Sequence, residues 1–427
     1  MKIFLIGMTL SGARGRAPAL PTARVRPSIS NKDMGDEMTR PFAGLRVLDL
    51  TTTIAGPYCA RLLADAGADV IKIEAPEGEL TRHRPPLRDG ASTSYGQLNA
   101  GKRSLVLNLK QPAAVEIVRR LIAGTDILVE NFRPGVMARF GLGYDALAAM
   151  NPKLIYCAIS GYGQTGPSSE LAAYAPAIHA ASGYDMAHLV YQEGRERPDN
   201  CGIYTADILS GTYAYAAIAT ALVQRHATGV GQMIDVSMLE AMLCLTNSEV
   251  QLVQFPQPPA GKPIFGPVAT SNGYIMPAIA SERTFQNLAK AAGREDWVTD
   301  ARFAKYPIRR ANWGTLIEEL ELWSRTLTTA ECEAALHRHG VPCSAYRSVA
   351  EAMADPQLVH REALTEVTDS AGSFRVVNAP YRMSAALTTV RNYSADLGEH
   401  TREILRASGY SDADIGELEA SGAVNSA

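Results

Sequence analysis

The longest apolar stretch of the chain begins at Thr205 and continues to Arg225, with the sequence TADILSGTYAYAAIATALVQR. Apolar side chains lie on nearly every side of the helix that this stretch predicts, which is typical of a buried helix. Asp207 and Ser210 are the strongly polar side chains of its first two turns. A carboxylate at a helix start is favoured in its ionised form by unpaired N–H groups and the helix dipole. Asp207 is therefore either a helix cap or a carboxylate nucleophile.

Upstream of this helix, short apolar strands alternate with helices. Residues 45–50 predict a strand, Pro57 opens a helix over 58–66, and 69–73 predict a second strand. This order forms a βαβ unit, which indicates a doubly wound α/β fold with a parallel sheet. Further strands are predicted at 104–109 and 126–130, with a helix at 112–123 between them. The loop after the first strand lacks the glycines of a dinucleotide fingerprint.

Downstream, the pattern predicts a second apolar helix over 231–253 and then the Pro-rich linker FPQPPAGKPIFGP. The composition changes near residue 260, which favours a domain boundary there. The pattern itself gives a tail at 1–38 and a connecting helix and linker at 231–262.

Composition narrows the class of protein. The 427 residues are 46% apolar and 20% charged with a net charge of −3, which gives no reason to expect a nucleic acid or an anionic membrane as partner. Six cysteines occur without metal-ligand spacing, so we expect no metal site and a cytoplasmic protein. No run of 18 apolar residues is present, and no membrane span is expected. Residues 1–38 have the composition of a transit peptide, of a disordered tail or of sequence upstream of the true start.

Basic residues collect near the predicted strand ends. Lys102, Arg103 and Lys110 flank one strand, and Arg133 and Arg139 follow the next. Ligands bind at the carboxyl ends of strands in open α/β sheets, so these cations form a candidate phosphate site. The alternative is that they are solvated surface charges.

Several motifs together resemble the class III coenzyme A transferases, the family of formyl-CoA transferase and the carnitine CoA-transferases. The resembling segments are GLRVLDLTTTIAGPYCARLLADAGADVIKIEAPEGELTR, NAGKRSLVLNLK, TDILVENFRPGVMARFGLGYDAL, NPKLIYCAISGYGQTGP, ADILSG with TGVGQMIDVSML, and LGEHTREIL with SGYSDADIGEL. They follow one another in order over almost the whole chain, and only residues 1–38 lie outside them. The match is therefore more specific than any one motif. The family resemblance implies that 39–230 are the first part of a large domain, that 263–345 form a small inserted α+β domain, and that 346–427 are a return segment that completes the large domain.

The resemblance implies an enzyme that moves coenzyme A between an acyl-CoA and a small carboxylic acid, working as a homodimer of interlocked rings. Its catalytic aspartate falls on Asp207, which would carry the acyl group as an anhydride and CoA as a thioester. Coenzyme A is then a substrate, and no permanently bound cofactor is expected. The implied CoA-binding residues are Thr53, Ile54, Ala55, Leu107, Lys110, Asn131, Phe132, Arg133 and Arg139. Gly161, Gly163 and Gly266 are candidates for backbone oxyanion donors.

Two alternatives remain open. The α-methylacyl-CoA racemases resemble this family but pair the aspartate with a histidine that precedes an acid, and here Tyr174 and Ala175 occupy those positions. His179 lies five residues further on, where it is either a packed histidine or a substrate contact. A racemase needs two acid–base groups, and the second is missing here. The other alternative is a CoA-binding protein without catalytic activity.

The glycine run that covers the active site of formyl-CoA transferase is absent from the matching segment PIFGPVATSNGY. We therefore expect a dicarboxylic or branched acceptor acid rather than oxalate. A dicarboxylate needs a cation for its distal end, and Arg82, Arg195 and Arg197 are the candidates. Each of them could equally be a solvated loop charge.

Overall fold

The computed structural model describes residues 40–192, 194–199, 202–255 and 265–426. The tail predicted at 1–38 and most of the Pro-rich linker lie outside these residues. The strands are β1 (Arg46–Asp49), β2 (Asp69–Glu74), β3 (Leu87–Arg88), β4 (Ala91–Ser92), β5 (Arg103–Leu107), β6 (Ile127–Glu130), β7 (Ile155–Ser160), β8 (Gln232–Ser237), β9 (Val268–Ala269), β10 (Tyr274–Pro277), β11 (Cys343–Ala345), β12 (Leu364–Asp369), β13 (Gly372–Val377) and β14 (Val424–Asn425).

The helices up to the linker are α1 (Ala55–Asp65), α2 (Thr93–Asn99), α3 (Pro112–Ile122), α4 (Val136–Arg139), α5 (Tyr144–Met150), α6 (Ala175–Ala181), α7 (Tyr184–Leu189), α8 (Thr205–Thr228), α9 (Met238–Leu245) and α10 (Asn247–Gln254). After it come α11 (Glu282–Ala291), α12 (Tyr306–Ala311), α13 (Trp313–Ser324), α14 (Thr329–Arg338), α15 (Val349–Met353), α16 (Pro356–His360), α17 (Thr401–Ala407) and α18 (Asp412–Ala420). Short 3₁₀ turns occur at Leu80–His83 and Glu295–Val298.

A seven-stranded sheet in the order β14-β5-β2-β1-β6-β7-β8 forms the centre of the fold. Its strands pair in parallel except β14, which runs antiparallel to β5. The predicted α/β fold with a large parallel sheet is therefore confirmed. The chain builds outward from β1 to β2 and β5 on one side, then from β6 to β8 on the other. This change of direction makes the gap between the ends of β1 and β6 the topological switch point of the sheet.

Apolar side chains on both faces of the sheet explain why its strands are continuous apolar runs. Val47 and Ile127 face a core that also contains residues of α1, α6, α8 and α9. Their neighbours Leu48 and Leu128 face the opposite core, built with α3, α5, α17 and α18. All four side chains are fully buried.

The predicted helix over 231–253 is wrong in its first third, where β8 lies beside β7. Residues 232–235 alternate between partly buried and exposed positions, as a strand with one packed face requires. Gly231 permits the close approach, because an added Cβ would lie 2.1 Å from the carbonyl oxygen of Leu154. The helical part begins only at α9, where the Ser237 hydroxyl accepts a hydrogen bond from the Glu240 N–H at 3.3 Å.

Residues beyond the linker first form a three-stranded sheet, β11-β10-β9, with α11, α13 and α14. These elements have a core of their own around Phe285, Trp297 and Leu316. A hairpin of β12 and β13 follows. The chain then returns to the large sheet, where Val424 of β14 pairs with Leu107 of β5.

Among the helices in the described ranges, α8 alone is long and apolar enough to cross a bilayer, judged by length and composition. A single helix of this kind is a weak indication, because core helices pass the same test. In this fold α8 packs against α1, α9, β7 and β8. Its apolar character is therefore used, at least in part, for internal packing.

Candidate active site

A cavity of about 270 Å³ opens at the switch point of the sheet. Two loops form its floor, and they are joined by reciprocal hydrogen bonds between Thr52 and Asn131. The Thr52 N–H donates to Asn131 Oδ1, and Asn131 Nδ2 donates to the Thr52 carbonyl, both at 2.9 Å. The residues that line the cavity are Thr52, Thr53, Ala55, Asn131, Phe132, Arg133, Pro134, Ile159, Ser160, Gly161, Ser169, Leu171, Ala172, Ala173, Tyr174, Asp207 and Met238.

Asp207 enters this cavity from the third position of α8. Its carboxylate accepts a hydrogen bond from the backbone N–H of Ala55, the first residue of α1. The carboxylate thus lies at the starts of two helices, where both dipoles favour negative charge. Gly211 makes this geometry possible, because an added Cβ there would lie 2.5 Å from the Ala55 carbonyl oxygen. The glycine of the ADILSG motif therefore lets α8 pack directly on the backbone of α1.

Burial nevertheless raises the pKa of Asp207 to about 6, from a usual value of 3.8. The hydrogen bond from Ala55 and the charge of Arg84 act in the opposite direction but do not cancel the desolvation. The sequence indicated only the effect that stabilises the ionised carboxylate, namely the helix dipole, and not the desolvation that opposes it. With a pKa of about 6 the carboxylate is still roughly 90% ionised at pH 7, so it can act as a nucleophile.

His179 holds the start of the same helix. Its side chain is 3% exposed, and its Nε2 atom accepts a hydrogen bond from the Ala206 N–H at 3.1 Å. Burial lowers the pKa of this imidazole, which fits a neutral ring with an acceptor nitrogen. The ring of Tyr184 packs beside it, with 5.7 Å between ring centroids. Of the two roles predicted for His179, the packed histidine is therefore the one that its contacts support.

Lys102 is neither a phosphate ligand nor a solvated charge, and both predictions for it are wrong. It is buried, and its Nζ atom donates to Asp49 Oδ2 at 2.8 Å, to Asn99 Oδ1 at 2.7 Å and to the Pro57 carbonyl at 2.9 Å. Burial alone would raise the pKa of Asp49, but Lys102 and the nearby Lys72 hold it below its usual range. Lys102 thus links the end of β1, through Asp49, to the start of α1, through Pro57, and so constrains the loop between them.

The nine predicted CoA-binding residues separate into two groups. Thr53, Ala55, Asn131, Phe132 and Arg133 line the cavity together with Asp207. The loop that carries Thr53 is tightly constrained, because this residue has a φ of +72° and its N–H donates to Glu79 Oε2 at 2.7 Å.

The other four, Ile54, Leu107, Lys110 and Arg139, do not line this cavity. Leu107 is 1% exposed in the core beneath β14, so its side chain cannot contact a ligand. Lys110 and Arg139 are exposed, and strand β5 ends at Leu107 rather than beside Lys110. Arg103 is also engaged elsewhere, in an ion pair with Asp69 at 2.6 Å.

None of the three arginines predicted for a distal carboxylate lines the cavity. Arg82 is committed to Glu74, to which its Nε and Nη2 atoms donate at 2.7 Å, and it stacks on Tyr95. Arg195 is exposed and pairs with Asp199 at 2.7 Å, and Arg197 is exposed in the same loop.

Sequence reasoning missed several residues of the cavity wall. Ser160 ends β7, and its buried hydroxyl has no hydrogen-bond partner in the described part of the chain. Tyr174 also lines the cavity, and its side chain is 70% exposed; the sequence indicated only that it stands where the racemases have a histidine. Of the candidate oxyanion glycines, Gly161 lines the cavity, whereas Gly163 and Gly266 do not. The position of Ser160 at a strand end was the available signal. Within the described residues, no group of three or more His, Cys, Asp and Glu could hold a metal ion.

Comparison with known proteins places this geometry in context. A family model described as CoA-transferase family III matches residues 42–401. The chain is 34% identical to a succinate–glutarate CoA-transferase of Agrobacterium fabrum, over 86% of this chain and 95% of the relative. It is 33% identical to a succinyl-CoA–D-citramalate CoA-transferase of Chloroflexus aurantiacus, over 86% and 93% respectively. The crystal structure of a CAIB/BAIF family protein from Brucella suis superposes with a TM-score of 0.77 at 32% identity, covering 87% of this chain and 100% of that one.

Proposed function

The chain belongs to CoA-transferase family III, and from that membership we propose that Asp207 is the nucleophile through which this CoA-transferase exchanges carboxylic acids. One observation carries the proposal: an ionisable carboxylate in a cavity at the switch point of the sheet, held at the starts of two helices. Such a carboxylate is charged at neutral pH yet poorly solvated, as an effective oxygen nucleophile requires.

In the proposed reaction the Asp207 carboxylate attacks the thioester carbonyl of the acyl-CoA donor. The carbon–sulfur bond breaks, which leaves CoA thiolate and a mixed anhydride between the acyl group and Asp207. The thiolate attacks the aspartyl carbonyl and expels the donor acid, which leaves an aspartyl-CoA thioester. The acceptor carboxylate then runs these steps in reverse and restores Asp207. Each step exchanges one acyl bond for another, so the site must stabilise oxyanions and exclude water rather than transfer protons.

A covalent adduct on Asp207 tests this proposal directly. The protein is incubated with succinyl-CoA in the absence of an acceptor acid, digested and analysed by mass spectrometry. We expect an acyl or CoA adduct on the peptide that contains Asp207. Asp207→Ala should form no adduct and lose transfer by several orders of magnitude while it still binds CoA. Turnover near the wild-type rate in this variant would refute the mechanism.

The contacts of His179 argue against racemase chemistry. The acceptor nitrogen of this histidine is occupied by the Ala206 N–H, and its ring is buried against Tyr184. A racemase requires a base on each face of the α-carbon, and here Tyr174 and Ala175 stand at the positions where that family has its histidine and acid. A CoA-binding protein without catalytic activity is the remaining alternative, and it predicts no adduct.

For the acceptor we propose a small dicarboxylic or branched acid. The names of the relatives from Agrobacterium fabrum and Chloroflexus aurantiacus, which refer to succinate, glutarate and citramalate, support this class. Rates measured with succinate, glutarate, citramalate, oxalate and a monocarboxylate would test it. A preference for oxalate or for the monocarboxylate would contradict the proposal.

We also propose an obligate homodimer. The family resemblance implies that each chain is divided into two domains and that two such chains form interlocked rings. Exposed apolar side chains on α8, α9 and α10 support a covered surface: Val223 is 73%, Leu243 49% and Val253 78% exposed. Soluble monomers rarely leave large groups of such residues in water. A stable, active monomer by light scattering would contradict the dimer. We propose further that the enzyme acts in the cytoplasm, in keeping with the free cysteines of the described residues. We also propose that it carries no permanent cofactor, since coenzyme A is a substrate of the proposed reaction.

A further inference from the structure

Arg84 occupies a fixed position immediately after the 3₁₀ turn Leu80–His83. Its N–H donates to the Thr81 carbonyl at 3.1 Å, and its carbonyl accepts a hydrogen bond from the Ser92 hydroxyl at 2.6 Å. The backbone is therefore held on both sides, whereas the side chain is only half-buried. The backbone hydrogen bonds therefore fix where the Arg84 side chain starts, and its charged end remains partly accessible to solvent.

The side chain of Arg84 reaches toward the start of α8. Its guanidinium carbon lies 5.8 Å from the centroid of the Tyr204 ring, and Tyr204 directly precedes the helix. Asp207 follows three residues later, and among the described residues Arg84 is the cation whose charge contributes to lowering the pKa of this carboxyl. The turn that carries Arg84 thus meets the first residues of the helix that carries Asp207, through the contact between Arg84 and Tyr204.

In the part of the chain that the structure describes, the guanidinium of Arg84 makes no ion pair and no hydrogen bond. The arginines on either side differ. Arg82 binds Glu74 through two nitrogens, and Arg88 places its Nη2 atom 2.9 and 2.8 Å from the two carboxylate oxygens of Asp369. Arg84 thus keeps its planar set of donors available; it does not itself line the cavity, but it lies over Tyr204 at the start of the helix that carries Asp207.

We propose that Arg84 binds the distal carboxylate of a four- or five-carbon dicarboxylic acid while the other carboxylate reacts at Asp207. This inference rests on the proposed function, because it requires Asp207 to be the reacting group. The two carboxyl carbons of succinate or glutarate are roughly 4–5 Å apart, from carbon–carbon bonds of about 1.5 Å. A guanidinium fork binds a carboxylate through two parallel hydrogen bonds. A monocarboxylate of the same length places a methyl group there and gains nothing from the cation.

Matched acceptor pairs test the proposal. With a saturating acyl-CoA donor at pH 8, where Asp207 stays ionised, kcat/KM is measured for glutarate against pentanoate and for succinate against butanoate. Arg84→Ala should lower the preference for the dicarboxylate about 10- to 100-fold, the range expected for charge-assisted hydrogen bonds. Arg84→Lys should retain part of the preference, because it keeps the charge but loses the fork. Arg84→Gln serves if the alanine variant does not fold.

Arg197→Ala is the control, since it removes an equal charge from an exposed loop residue that, unlike Arg84, does not contribute to lowering the pKa of Asp207. It should leave the preference within about twofold, because single exposed charges act weakly across solvent. An equal loss for both members of each pair in Arg84→Ala would overturn the inference, as would a wild-type preference for monocarboxylates. If the wild-type enzyme forms no adduct on Asp207, the proposed function itself fails. If the adduct forms and Arg84→Ala keeps its preference, only the role of Arg84 is wrong.

Discussion

Replacing Asp207 by asparagine should stabilise the folded protein at neutral pH while it removes the proposed nucleophile. Burial raises the pKa of this carboxyl from 3.8 to about 6. At 1.36 kcal/mol per pKa unit, the difference corresponds to about 3 kcal/mol of free energy of unfolding. Asparagine keeps an oxygen that can accept the Ala55 N–H but carries no charge to desolvate. We therefore expect Asp207→Asn to be up to about 3 kcal/mol more stable at pH 7.

The sign of the pH dependence follows from which state holds the proton. The unfolded chain releases the proton of Asp207 near pH 3.8, whereas the folded protein releases it near pH 6. Raising the pH between these values therefore favours the unfolded chain, and the cost is fully present above pH 6. At pH 4 the folded protein holds the proton and the unfolded chain is only about 60% ionised, so the advantage of asparagine should fall below about 1 kcal/mol.

Urea unfolding of both proteins at pH 7 and pH 4, at one protein concentration, measures this difference. Asp145→Asn is the control, because Asp145 is an exposed carboxylate in the first turn of α5. It should lose no more than a few tenths of a kcal/mol, the usual effect of an exposed charge near a helix start. If Asp207→Asn is less stable than wild type at pH 7, or if its advantage persists unchanged at pH 4, desolvation of the Asp207 carboxylate does not destabilise the fold as expected.

Three further predictions follow from contacts around the cavity. The kcat/KM for transfer should fall about tenfold per pH unit below about pH 6, because the protonated Asp207 is no nucleophile; a profile that is flat down to pH 5 would exclude Asp207 as the titrating group. Lys102→Met should cost about 3–5 kcal/mol in urea unfolding, since it removes the 2.8 Å partner of the buried Asp49 and leaves it with Lys72 at 3.9 Å; a cost below about 1 kcal/mol would show that Lys72 suffices. His179→Ala should lower both turnover and stability, the latter by about 1 kcal/mol, through loss of the bond to the Ala206 N–H. His179→Gln, whose amide oxygen can accept the same bond, should retain more of both, and equal losses in the two variants would contradict the capping role.

Local sequence was sufficient for the fold class and for locating the carboxylate that we propose as the nucleophile. The alternation of strands and helices predicts the parallel sheet, because strands buried on both faces must be apolar throughout. Asp207 was identifiable because a charged residue near the start of an apolar helix is uncommon, and because the surrounding motifs resemble those of one family. Arg133 was predicted because it follows a strand and the ends of parallel strands bind ligands, whereas Asn131 was implied by the family resemblance.

Local sequence could not decide which cations remain free. Lys102 and Arg133 both follow or precede strands, yet Lys102 is buried against Asp49 and Arg133 lines the cavity. Arg82 and Arg84 are two residues apart in one loop, and only the fold directs Arg82 to Glu74 and Arg84 to Tyr204. The partner of a charge is chosen by residues distant in the chain, so its role depends on tertiary contacts.

The pKa of Asp207 and the strand nature of β8 were decided in the same way. The dipole of α8 is a local property that favours the ionised carboxylate, but the desolvation that raises its pKa comes from the surrounding walls of the cavity. The apolar residues 232–237 are compatible with either a helix or a strand, and the free edge of β7 makes them a strand. The sequence by itself thus determined which residues could carry the chemistry, and tertiary packing determined their charge state and their neighbours.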